Sequence, residues 1–188
     1  MNKNNSQSAI FSTHPVDVFK KILTGRLKKN KFKFFNIDSP ISDFISKLKN
    51  IKLDNLFLVS DLNKSFSCFD DILINNNKNL KKLDLQIIEL VESLETASQF
   101  TKKLYFFSFP LDIDDNYFGD LNNKLYGKNW LINYINLQVG IKISNIDSIS
   151  LIDTNQIIIK HKFVDNIFDE KMKYLIGSNY SPNFIKFL

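Results

Sequence analysis

Five times along this chain a short apolar run is followed by a segment whose apolar residues recur at helical spacing. The runs are "AIFST" (9–13), "KFKFFNI" (31–37), "LDNLFLVSD" (53–61), "KKLYFFSFP" (102–110) and "SISLIDTNQIII" (148–159), the last expected to end near Asp153. Between them, Val16, Phe19, Ile22 and Leu23 form one helical face, and Ile41, Phe44, Ile45 and Leu48 a second. Ile87, Ile88, Val91 and Leu94 form a third, inside "LDLQIIELVESLETASQF", and "KNWLINYINLQVG" supplies a fourth. Strands separated by helices cannot pair as hairpins. They predict an α/β domain, a three-layer sandwich around a mainly parallel five-stranded sheet with right-handed crossovers. The third run is apolar enough to be buried on both faces. The segment 64–78 is Asn-rich and reads as loop, as does the acidic stretch "LDIDDNYFGDLNNKLYG".

A chain of 188 residues suits one domain. Residues 1–8 are polar and read as a loose tail, leaving 9–188 as the domain. The polar start has no apolar signal segment, and no run approaches the roughly 18 apolar residues of a membrane span. No membrane partner is expected, and the cytoplasm is the expected location. The single cysteine, Cys68, excludes an internal disulfide and suits a reducing compartment.

Two histidines and one cysteine do not make a structural zinc site. The "DIDD" stretch (112–115) lacks the glycine and terminal glutamate of a calcium loop. No metal is expected. The five glycines form neither a dinucleotide-binding fingerprint nor a phosphate loop, so no cofactor is expected. The net charge of +5 is spread along the chain. In "RLKKNKFKFF" lysine alternates with phenylalanine, as in a strand with one solvated face, so no nucleic-acid partner is expected.

Ligands of such sheets bind outside the carboxyl ends of the strands. The expected rim is Ser12 and Thr13 after the first strand, Asp38 after the second, Asp61 and Asn63 after the third, and Asp153 after the fifth. Ser12 stands where a strand turns toward a helix, the position of a hydrolase nucleophile. Asn63 stands where an oxyanion donor would lie. The base would be His14 or His161, oriented by Asp153. His161 is eight positions beyond Asp153, however, whereas a hydrolase of this kind carries the pair about three apart in one loop. The first strand also lacks a Gly-Asp-Ser sequence. Ser12, His14, Asn63, Asp153 and His161 are thus catalytic candidates without a complete set. The plainer reading has Ser12 and Thr13 capping the first helix, with Pro15 in its first turn.

Several segments taken in order resemble the N-terminal domain of FkbH-like proteins. "AIFSTHPVDVFKKIL" looks like that family's opening strand, hydroxyl turn and helix, and "LDNLFLVSDLN" like its third strand and polar loop. "FSFPLDIDDNYFGD", "WLINYINLQVG", "ISLIDTNQI" and "FDEKMKYLIGSNYSPNFIKFL" follow in matching order. The resemblance spans 9–188. It implies an SGNH-hydrolase-like domain, related to flavodoxin-like sheets, that precedes a HAD-like domain in longer members. Those members act in polyketide or surface-glycan biosynthesis, some loading a glyceryl unit onto an acyl carrier protein. The HAD-like Asp-x-Asp-x-Thr strand does not occur in this chain. The resemblance therefore implies a domain without independent activity, ending where a linker to a HAD-like domain would begin. A HAD-like subunit or an acyl carrier protein is the implied partner. A small SGNH-type esterase using Ser12 is the alternative, and a structural orphan of a truncated gene a third.

Overall fold

The computed structural model describes residues 7–14, 16–17, 20, 31–40, 43–48, 51–74, 80–111, 124–161 and 181. The five apolar runs form strands β1 (Gln7–Ser12), β2 (Lys31–Asn36), β3 (Leu53–Val59), β4 (Thr101–Phe107) and β5 (Ile149–Ile152). All pair in parallel, in the order β2-β1-β3-β4-β5. Helices α1 (Phe44–Leu48), α2 (Leu62–Ser65), α3 (Phe69–Ile74), α4 (Lys81–Ser98), α5 (Lys128–Ile143) and α6 (Thr154–Lys160) separate or follow them. The expected α/β class and mainly parallel sheet are those observed.

One face of the sheet carries Ala9, Phe11, Leu56, Leu58, Leu104 and Phe106, all fully buried. Residues two apart share a face, so each strand contributes alternate side chains. Leu48 of α1, Leu83, Leu90 and Leu94 of α4, and Leu131, Ile135 and Val139 of α5 close over them in one core. Phenylalanine supplies much of the contact. Phe11 stacks on Phe35 with ring centres 4.5 Å apart and meets Phe44 edge-on at 5.2 Å. On the opposite face Phe57 stacks on Tyr105 at 4.9 Å.

Two local expectations are corrected. The segment 64–78 is not simply loop, because 62–74 holds α2 and α3. Phe66, Phe69 and Ile72 are buried there and fix two short helices that the polar composition concealed. On α4, Ile88 does not face in; it is 39% exposed, while Leu83 and Leu90 are fully buried. Ile87, Val91 and Leu94 are buried as expected, and Leu83 and Leu90 complete the inward face in place of Ile88.

Candidate functional site

After β1 the chain goes to β2 on one side, then returns past β1 to β3 on the other. The carboxyl ends of β1 and β3 therefore flank the point where strand order reverses, which opens a crevice in sheets of this kind. Residues 12–14 leave β1 there, and 60–65 leave β3.

The sequence builds these two turns against each other. Ser12 lies opposite Val59 in the ladder, and the Thr13 N–H continues the pairing by donating to the Val59 carbonyl at 3.2 Å. The Asp61 N–H donates to Thr13 Oγ1 at 2.6 Å. Lys64 Nζ donates back to the Thr13 carbonyl at 2.7 Å. Asp61 caps α2, its carboxylate accepting from the Asn63 and Lys64 amides at 3.0 and 3.3 Å. Ser60 and Ser65 hydroxyls meet at 2.6 Å, and Ser65 also donates to the Asp61 carbonyl.

Ser12 is fully buried. Its Oγ accepts the His14 main-chain N–H at 2.9 Å, a local turn that uses the hydroxyl to hold backbone. His14 is itself buried, and burial pushes its imidazole down to about 4. The Asp61 carboxylate opposes that shift and the Lys64 ammonium adds to it. The ring is neutral at physiological pH. The expected cap on the first helix is different in detail: the Val16 N–H goes to Asn36 Oδ1 at 2.8 Å, not to Ser12 or Thr13. Asn36 can do this because β2 sits beside β1 and pairs Asn36 with Ser12.

The structure thus brings Ser12, Thr13, His14 and Asp61 together. Asn63 is close in chain, but its amide is engaged with Asp70, Nδ2 donating to Oδ2 at 3.1 Å. Asp38 is exposed beyond β2, its N–H donating to the Asp43 carboxylate. Asp153 is exposed and caps α6, accepting from the Gln156 N–H at 3.1 Å. His161 ends that same helix. The two stand eight positions apart across a seven-residue helix, roughly 12 Å of rise, so Asp153 does not orient His161. Strand β5 is also three places from β1, roughly 14 Å across the sheet. A chain turning straight into a helix after β5 carries its acid and imidazole away from each other. The "DIDD" stretch and the C-terminal segment 182–188 lie outside the described residues.

Three contributors escaped the sequence reading: Lys64, Ser60 and Asn136. Asn136 of α5 uses both ends of its amide on Phe109, accepting the Phe109 N–H at 2.9 Å and donating to its carbonyl at 2.8 Å. The helix holds other polar residues, Asn129, Asn133 and Gln138 among them, so its sequence did not single out Asn136. Ser108 and Thr154 join the ends of β4 and β5 through two bonds of 2.9 and 2.7 Å. Among the described residues no group of three or more His, Cys, Asp or Glu side chains is placed to hold a metal ion. Nor, among them, is any helix long and apolar enough to cross a membrane.

No protein-family model matches the chain, and no curated protein matches it in sequence. Solved structures do match it in shape. The N-terminal part of BF1531 from Bacteroides fragilis, which contains a phosphatase domain and was crystallised with Mg, aligns with a TM-score of 0.62 at 11% identity. The alignment covers 96% of this chain but only 48% of that one, so this chain spans about half of its neighbour's length. Axe2, an acetylxylan esterase from Geobacillus stearothermophilus, aligns with a TM-score of 0.59 at 10% identity, covering 100% of this chain and 91% of the esterase. That structure and its companions are catalytic mutants in which a Ser, a His or an Asp is replaced by Ala. At these identities the likeness is one of fold, and the fold is SGNH-like α/β.

Proposed function

We propose that this chain is a binding domain of FkbH-like type, without hydrolytic activity of its own. It would support glyceryl or acyl transfer to a carrier protein alongside a HAD-like phosphatase unit. The state of Ser12 carries this reading. Its side chain is fully enclosed, and its Oγ is held by the His14 amide. A hydrolytic serine needs an acyl carbon within reach and a base to take its proton. The likeness to BF1531 supports the pairing, since that chain contains a phosphatase domain and is about twice the length that this architecture covers. The test has two arms. Ester turnover on p-nitrophenyl acetate should stay at background and be unchanged in Ser12→Ala. Titration with a HAD-like protein and with an acyl carrier protein from the same organism should show saturable binding of at least one. Absence of binding to both would overturn the proposal.

A second reading is favoured by the esterase likeness, which extends over nearly the whole of Axe2. In it Ser12, at the end of β1, is the nucleophile of a small acyl hydrolase. Turnover abolished by Ser12→Ala with retained folding would establish this reading and displace the first.

A further inference from the structure

Two lysines turn back onto strand ends at the carboxyl edge of the sheet. Lys47 of α1 donates to the carbonyl of Asn36, the last residue of β2. Lys64 of α2 donates to the Thr13 carbonyl just beyond β1, at 2.7 Å. Their charges are treated differently. Lys47 is paired with the Asp43 carboxylate, Nζ to Oδ2 at 2.9 Å. Among the described residues no carboxylate lies within ion-pair distance of Lys64 Nζ. The acids of its own neighbourhood are engaged elsewhere. Asp61 Oδ1 accepts the Asn63 and Lys64 main-chain N–H groups, and Asp70 Oδ2 accepts the Asn63 amide. Asp61 moderates the local field without giving Nζ an acceptor.

An ammonium has three N–H donors. Lys64 spends one on a neutral carbonyl, and that bond fixes where its charge stands: beside the end of β1, where strand order reverses and parallel sheets receive their ligands. The lysine is exposed, whereas Ser12, Thr13 and His14 are buried. The main-chain donors of the turn are consumed, Thr13 N–H by the Val59 carbonyl and His14 N–H by Ser12 Oγ. A ligand entering the crevice from solvent thus meets a cation that is positioned but not neutralised by a paired carboxylate. An oxyanion gains a charge-assisted hydrogen bond there that the carbonyl does not supply. We propose that Lys64 is the anion-recognising residue of the β1–β3 crevice, receiving a carboxylate or phosphate group of a small ligand through the donors that Thr13 leaves over. The proposal rests on the reading of this chain as a binding domain and names the chemistry its crevice accepts. Lysine offers a point charge rather than a planar fork, so experiment must separate the two oxyanions.

Amide NMR spectra of the full chain test it, with inorganic phosphate and acetate titrated separately, each against sodium chloride at equal ionic strength. Saturable shifts at the Thr13, His14, Asp61 and Lys64 amides are expected for at least one of the two. The dissociation constant should be on the order of 10 mM, as suits a single exposed ion contact. Saturation by phosphate alone identifies a phosphorylated ligand, and saturation by acetate a carboxylic acid. Lys64→Gln keeps a donor for the Thr13 carbonyl and removes the charge. It should weaken binding about tenfold or more with the rest of the spectrum unchanged, and Lys64→Arg should retain binding. A lysine that served only to tie the two turns together would show no such split. Equal shifts with chloride, no saturation by either anion, or undiminished saturation in Lys64→Gln overturns the proposal. Neither anion enters the ester assay or the partner titration, so this result and those can fail separately.

Discussion

His14 is the residue whose surroundings cost it most. Enclosed between the two turns, it is held neutral, its imidazole pushed from 6.5 down to about 4 mainly by burial. Unfolding releases it to the ordinary value. Between those two values the unfolded chain binds the proton and the folded one does not, so stability is full above 6.5 and is lost as pH falls toward 4. The loss is on the order of 3 kcal/mol. The thermal midpoint should therefore fall across this window, and His14→Gln should flatten the fall. A variant with the wild-type pH profile would show that other groups set it. Burial likewise raises the Cys68 thiol, which donates to Gln86 Oε1 at 3.0 Å. The sequence located Ser12, Thr13, His14 and Asp61 at their strand ends, because a strand's end is written in its apolar run. It could not show that Ser12 bonds backbone, or that Lys64 reaches across to Thr13. The first is a choice of conformation within one turn, and the second depends on how closely two turns, 48 residues apart in chain, approach each other.

At the scale of elements, boundaries are set by partners that a linear pattern does not display. Helix α6 begins at Thr154 because Asp153 caps it and Ser108 holds its first residue, although "QIII" alone reads as strand. Helices α2 and α3 were hidden by Asn, Ser and Asp, residues that serve caps as readily as loops. Asn136 is the clearest case of an element positioned by one side chain. Its amide satisfies both polar groups of Phe109 and so joins α5 to the chain leaving β4. Asn136→Ala leaves a buried N–H and a carbonyl without that partner and should cost about 2–3 kcal/mol in urea unfolding. If the alanine variant unfolds at the wild-type midpoint, water has replaced the amide and the bridge is dispensable.

For the whole molecule, alternation of strand and helix was sufficient to yield the class and the parallel sheet. It did not yield the order of the strands, which depends on where each crossover lands. With β1, β3 and β4 inside the sheet, these strands have neighbours on both sides and bear the sheet's fully buried side chains. Native-state hydrogen exchange should find the slowest amides at Ile10, Leu58 and Phe106, opening only with global unfolding. Amides of α2 and α3 should exchange much faster, through local opening of the crevice wall. Equal protection in both sets would mean that the crevice opens only when the whole domain does.

Among the described residues β2 and β5 are the outer strands. β5 has only four residues, so it offers little backbone for another chain to copy. β2 is longer and carries Phe32, Phe34 and Phe35, with exposed Lys33 between them. A phenylalanine-rich edge is a template for fibrillar assembly, and a charge within it is a gatekeeper. Lys33→Val should leave the melting temperature nearly unchanged yet raise turbidity during refolding, when the edge is bare and chains are crowded. The lysine would then be kept for solubility during biogenesis, a demand on the sequence that neither the core nor the crevice imposes.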